Sequence, residues 1–451
     1  MSFDNSKRSD FGPHFTWGVS SSALQSEGAH NTDGKGPTIW DEFSDKQQVK
    51  NKDTHYQSGL FYEHYKKDID LIKSLYIPNF RFSISWSRIL PEGTGAINER
   101  GIQFYHNIID YCLVQGIEPW VTLYHWDLPL MLEKKGGWTN REILNWFQEY
   151  VQVCCQYFGH KVKYWMVLNE PLVFTGAGYF AGVHAPSKKG LKNFLPAAHH
   201  AVLAQALGFK IIKKEFPSAQ VGTTFSCSHL TAQSNKEIHI LATKRIDTLL
   251  NRMFVEPSLG LGYPIADLPV LAKINKYMLP GDEELMKVDF DFIGLQVYTR
   301  EVIKYNFFTP FLKAKIVPAS KRKVHHTKMD WEVFPDSIYE VVKKFSQYQN
   351  VKKIIITENG ASFHDELVGG AIADHQRVNY LKKHIEKLAH AQKDFPKLQG
   401  YFVWSLTDNF EWAEGYEQRF GLIYIDYETL QRTVKDSGYW YSNFLNQLKQ
   451  E

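Results

Sequence analysis

Apolar positions along this chain switch between two rhythms. Short apolar or alternating runs at residues 15–20, 78–86, 117–124, 164–169, 220–226, 291–298, 353–358 and 400–405 predict strands. Between them, apolar residues return every three or four positions at 62–75, 101–115, 142–157, 197–214, 236–254, 336–345, 374–391 and 435–449, which predicts helices. Gly116 and Gly159 stand where two of these helices should stop. Strands alternating with helices in eight units predict the α/β class, as a (β/α)8 TIM barrel with residues 1–451 forming a single domain. Intervals 172–196, 260–288 and 302–335 read as long loops. In this fold the loops that follow the strands build the active site.

Two of the runs share an unusual ending. Residues 353–360 read K-I-I-I-T-E-N-G, and residues 163–171 read K-Y-W-M-V-L-N-E-P. Each is an apolar strand with a glutamate at its C-terminal tip, Glu358 and Glu170. A carboxylate at the end of a buried strand is costly unless charge partners or a substrate meet it. Strands four and seven lie roughly opposite each other in an eight-strand ring, so the two carboxyls are expected to face each other across the mouth. Facing carboxyls are the machinery of glycoside hydrolysis, with a short gap for retention and a wider one for inversion. Arg81, flanked by Phe80 and Phe82 within strand two, is expected beside Glu358, where a guanidinium favours the ionised form. Tyr298, at the end of strand six, is expected to donate to Glu358. Asn169 precedes Glu170 and is expected to bind a sugar 2-hydroxyl. His125 and Trp126 end strand three.

Composition narrows the partners. The formal net charge of +3 and the lack of a long basic run argue against nucleic acid. Aromatic residues make up 15% of the chain, with 12 tryptophans, enough to build a core and still leave flat walls for sugar rings. The four cysteines form no C-x-x-C pair, so no metal site or redox motif is expected, and no cofactor. The first ten residues are polar, and no apolar run is long enough to span a bilayer, so a cytoplasmic address without a membrane partner is expected. The oligomeric state, a homo-oligomer included, is left open.

Six stretches carry a resemblance. They are F-T-W-G-V-S-S-S-A-L-Q-S-E-G (15–28), N-F-R-F-S-I-S-W-S-R-I (79–89), L-Y-H-W-D-L-P (123–129), L-N-E-P (168–171), I-T-E-N-G (356–360) and W-S-L-T-D-N-F-E-W (404–412), the last running on into R-F-G-L (419–422). In this order and spacing the chain resembles a family 1 glycoside hydrolase from residue 15 to residue 441. The resemblance implies a retaining β-glycosidase, most closely a β-glucosidase acting on small β-glycosides or short oligosaccharides. It implies Glu170 as acid/base and Glu358 as nucleophile. It implies that Gln25, His125, Asn169, Trp404, Glu411 and Trp412 hold the non-reducing sugar, with Trp126 beside them, and that Trp331 stands on the leaving-group side. Leu24, Ser26 and Val167 depart from the family pattern. So does Gln296, where Asn is usual; one methylene longer, it is expected to reach further into the mouth or to force a shift, and to bear on substrate preference.

Broad β-galactosidase or β-fucosidase activity remains an alternative, because Gln25 and Glu411 meet either arrangement of the 4-hydroxyl. A 6-phospho-β-glycosidase would need a cation where the chain offers Glu411 and Glu414. A thioglucosidase without the acid is opposed by Glu170, and a non-catalytic sugar-binding relative by the presence of both glutamates. Gly176, Gly178 and Gly182 miss the dinucleotide-binding spacing.

Overall fold

The computed structural model describes residues 6–447. Eight parallel strands close into a barrel: β1 (Thr16–Ser20), β2 (Asn79–Ser83), β3 (Glu118–Tyr124), β4 (Tyr164–Asn169), β5 (Gln220–Ser226), β6 (Phe292–Gln296), β7 (Ile354–Asn359) and β8 (Leu398–Trp404). Each strand pairs with its neighbours in sequence order, and β8 returns to β1. Outside run α1 (Phe61–Ser74), α2 (Glu99–Val114), α3 (Ile143–Phe158), α4 (Leu191–Glu215), α5 (Glu237–Asp247), α6 (Asp336–Ser346), α7 (His375–Asp394) and α8 (Asp436–Asn446).

Strand alternation sorts the side chains into two cores. Trp120, Met166, Phe292, Ile355 and Phe402 point inward and plug the barrel. Their sequence neighbours Val121, Trp165, Val167, Ile354 and Ile356 point outward and pack under the helices. The plug is tight enough to dictate Gly18 on β1, where a Cβ would stand 2.3 Å from the Phe402 ring. All four cysteines are buried and unpaired.

Several expected boundaries move. β2 stops at Ser83, and a helical turn over Trp86–Ile89 follows. β6 stops at Gln296, leaving Tyr298 on the loop beyond. The interval 172–196 is loop only over 182–190; the rest holds a helical turn over Pro171–Thr175, a wider turn over Gly176–Ala181 and the start of α4. Pro196 sits inside α4 near its N-terminus, where its missing N–H removes a single helical bond. The interval 260–288 contains a 3-10 helix over Pro269–Tyr277 and a short helix over Asp282–Met286. The interval 302–335 contains most of the strand Arg300–Tyr305 and the strand Ala314–Ile316, which join His229–Ala232 in a small sheet outside the barrel. Of the last expected helix, positions 448 and 449 lie outside the described residues, as do residues 1–5 of the polar N-terminal stretch. Among the described residues no helix is long and apolar enough to cross a membrane.

Candidate active site

β4 and β7 present their glutamates with the same device. Opposite β5, the register jumps from Met166↔Gly222 to Asn169↔Thr224; opposite β6, it jumps from Ile356↔Leu295 to Glu358↔Gln296. In each case the carboxylate strand carries one extra residue. Such a bulge re-aims the side chain that follows it. Thr357 points toward Gly294 inside the barrel, so simple alternation would send Glu358 outward; the bulge returns it to the mouth. Gly360 then lets the chain pass the Trp404 carbonyl, where a Cβ would stand 1.9 Å from the oxygen.

Glu170 and Glu358 line one cavity of about 410 Å³ at the C-terminal ends of the strands. Their surroundings differ. Glu358 Oε1 is in contact with the Arg81 guanidinium and accepts from Gln296 Nε2 at 2.6 Å; Oε2 accepts from the Tyr298 hydroxyl at 2.6 Å. Burial raises the Glu358 carboxyl above its ordinary range, and the Arg81 charge and these donors pull it back. Glu170 has no cation in contact. Among the described residues, its side-chain donors are neutral: Asn169 Nδ2 at 3.4 Å and the Ser226 hydroxyl. Burial drives Glu170 well above the carboxylate range, and the Glu358 charge pushes it further. The pair therefore favours one proton, held on Glu170.

Asn169 organises the floor. Its Oδ1 accepts from Arg81 Nη2 at 2.5 Å, Gln296 Nε2 at 2.7 Å and Thr224 Oγ1 at 2.9 Å, which fixes the amide orientation. Its Nδ2 therefore donates to His125 Nε2, at 3.0 Å. Burial holds His125 well below its usual pKa, so the ring is neutral with its proton on Nδ1. Among the described residues Nδ1 has no partner, and the ring lines the cavity: a donor is left over for a ligand. Trp126 Nε1 donates to the Asn169 carbonyl at 2.8 Å, and its ring packs 4.4 Å from that of Trp412.

On the opposite wall, Glu411 is raised to about 8 by burial and by the charges of Glu358 and Glu414. Gln25 Nε2 reaches it at 3.5 Å and is anchored by Asn409 Oδ1 at 3.2 Å and the Phe410 carbonyl at 3.0 Å. Among the described residues, no lysine or arginine lines the cavity. Glu170, Trp126 and Trp412 all adopt left-handed backbone conformations, with φ of 46°, 76° and 50°. Non-glycine residues in that region cost about 1–3 kcal/mol each, and such strain gathers at functional sites.

A family model described as glycosyl hydrolase family 1 matches residues 7–450. The chain belongs to that family. β-Glucosidase A of Thermotoga maritima is 42% identical over 433 residues, covering 95% of this chain and 96% of that one. The 1,4-β-D-glucan glucohydrolase of Thermotoga neapolitana is 40% identical over 434 residues, covering 96% and 97%. The solved structure of the family 1 β-glucosidase from Thermotoga maritima matches with a TM-score of 0.94 at 41% identity, over 97% of this chain and 98% of that chain. A second, in complex with deoxynojirimycin, matches with a TM-score of 0.92.

In this family 1 barrel, Gln25, His125, Trp126, Glu170, Tyr298, Trp331, Glu358, Trp404, Glu411 and Trp412 meet in one cavity. Arg81 and Asn169 lie beneath it, fully buried. Gln296 departs from expectation. It does not project into the mouth; it is fully buried below the floor, bridging Asn169 and Glu358. The bulge in β7 brings the Glu358 carboxylate over Gln296, and the amide lies down between it and Asn169 rather than standing up. Sequence reasoning missed Thr224, Asn409 and Phe420. Phe420 lies within the quoted R-F-G-L stretch, so the signal for it was present. Thr224 acts through hydrogen bonds with Asn169 and Gln296, and Asn409 through one with Gln25, which no sequence pattern announces.

Proposed function

We propose that the chain is a retaining β-glucosidase that removes terminal non-reducing β-D-glucosyl residues by double displacement. The observation that carries this reading is the pair of buried carboxyls in one cavity, with Arg81 and two further donors on Glu358 and no cation in contact with Glu170. Glu358, the ionised partner, attacks the anomeric carbon as the bond to the leaving oxygen breaks. Glu170 gives that oxygen its proton, and the aglycone departs as an alcohol. Glu358 is then an uncharged ester. The repulsion that held the proton on Glu170 is gone, so the Glu170 pKa falls and it becomes the base. It takes a proton from water, whose oxygen attacks the anomeric carbon and frees Glu358.

His125, with its free Nδ1–H, and Gln25 and Glu411 take the sugar hydroxyls. Trp404 and Trp412 supply apolar faces, with Trp126 behind them. Trp331, 5.2 Å from the Tyr298 ring and partly exposed, takes the aglycone side. Asn169 orients His125 and Glu170. The relatives named β-glucosidase and 1,4-β-D-glucan glucohydrolase support glucose over galactose or fucose. A cavity lining without a lysine or arginine among the described residues disfavours a phosphorylated sugar. Four unpaired thiols agree with a cytoplasmic address. Proton NMR of an aryl β-glucoside digest tests the reading: β-glucose should appear first and mutarotate later, whereas α-glucose as the first product would replace double displacement with inversion.

A further inference from the structure

The small sheet outside the barrel ends in a hairpin tip of unusual character. Between the strands Arg300–Tyr305 and Ala314–Ile316 the chain reads N-F-F-T-P-F-L-K. Phe307 and Phe308 are 67% and 86% exposed, and Phe311 is 51% exposed. Alongside lies α5, whose Ile238, Ile240 and Leu241 are exposed as well. Arg245, one turn beyond Leu241, donates to the carbonyls of Leu312 and Lys313, so the helix face and the tip form one surface. Isolated exposed apolar residues are ordinary, but three phenylalanines on one tip, with three more apolar side chains exposed on the adjoining helix, are not.

The charge around this tip is equally one-sided. Residues 304–328 contain seven lysines and arginines and no aspartate or glutamate, in a chain whose net charge is only +3. Arg322 is paired with Glu332. Among the described residues, Lys304, Lys313, Lys315, Lys321 and Lys323 take part in no ion pair. Aromatic rings at a tip with free cations around them are the composition of an element that sits in a lipid headgroup layer. Juxtamembrane cations are attracted to an anionic leaflet, and apolar side chains add burial below the headgroups. A second copy of this chain is a poor occupant, because a two-fold contact would set the same cationic patch against itself.

We infer that the hairpin tip and the exposed face of α5 dock on an anionic lipid surface. Glu301 and Ile316, at the foot of the hairpin, line the catalytic cavity. A hairpin arm of this length spans roughly 20 Å, so docking brings the cavity mouth within that distance of the headgroups. No spanning segment is required.

Flotation of the full chain with vesicles tests this. One set is equal parts phosphatidylglycerol and phosphatidylcholine; the other is phosphatidylcholine alone. The chain should float with the anionic set only, and salt at about 0.5 M should release it. The double variant Phe307→Ser/Phe308→Ser should lower the bound fraction about tenfold, and Lys313→Glu/Lys315→Glu should do the same. Neither pair lines the cavity, so kcat/KM on a small soluble aryl glucoside should stay unchanged, which also shows that the variants fold. No flotation with anionic vesicles, equal flotation of the variants, or a dimer in sedimentation that the Phe variant disperses would each overturn the inference.

Discussion

Replacing Gln296 by Met separates two roles that this residue could play. Met nearly preserves the volume and removes the amide. Gln296 Nε2 donates to Glu358 Oε1 at 2.6 Å and to Asn169 Oδ1 at 2.7 Å, one proton to each, in a fully buried position. A hydrogen bond to a charged group contributes about 1.5–3 kcal/mol. One pKa unit is about 1.36 kcal/mol, so losing this donor should raise the Glu358 pKa by roughly 1–2 units, the contact with Asn169 having little part in that ionisation. Glu358 must be ionised to attack. Its pKa sets the acidic limb of the kcat/KM profile, and a raised pKa moves that limb to higher pH by the same 1–2 units. The basic limb, set by the Glu170 proton, should stay. Arg81 and Tyr298 still hold the carboxylate, so activity at the new optimum should survive. Gln296→Asn, one methylene too short to bridge both partners, should shift the limb in the same direction by less. The assay is kcat/KM for an aryl β-glucoside from about pH 4 to pH 9. An unmoved acidic limb with an altered ranking of glucosides against galactosides would refute this reasoning and return Gln296 to the role of a sugar contact.

Trp331→Ala should weaken aryl and oligomeric substrates by about 1–3 kcal/mol in kcat/KM, a scale taken by analogy from base–aromatic stacking, and should spare small alkyl glucosides; equal rates on every aglycone would make the ring structural. Glu411→Gln tests the linkage between site and stability. The Glu411 carboxyl stands at about 8 in the folded chain, above the unfolded value, so its contribution to stability is complete below the unfolded pKa and is lost as pH rises through about 8. The variant escapes that loss. Its Tm advantage over the parent should be absent near pH 4 and reach a few degrees near pH 8, with activity lost, and a pH-independent difference would show that folding leaves the Glu411 pKa unchanged.

The barrel was legible because each strand is a short β-branched or aromatic run bounded by a helical period. That is a local signal which long-range packing does not reverse. The glutamate pair was legible for a related reason: a charge at the end of an apolar strand is conspicuous. From residue 302 onward the hairpin Arg300–Tyr305 to Ala314–Ile316 reads as loop although R-E-V-I-K-Y alternates, because a polar, half-exposed strand outside the barrel has no apolar run to announce it. Pro196 hid the first turn of α4, since proline near a helix start is tolerated but looks like a boundary. The direction of Gln296 depends on the bulge in β7 and on Asn169 from β4, strands that meet it only in the fold.

Azide rescue of two variants tests the assignment of the carboxyls most directly. Glu358→Gly should abolish turnover and leave room on the face opposite the leaving group. Azide entering there attacks once and should give the α-glucosyl azide from an activated β-glucoside. Glu170→Ala keeps the nucleophile, so an activated substrate still glycosylates Glu358. Azide needs no base to attack that intermediate, and two inversions should give the β-glucosyl azide. Proton NMR of the products reads the anomers. Opposite anomers from the two variants are the predicted result; the same anomer from both, or near-normal turnover of unactivated glucosides by either, would contradict it.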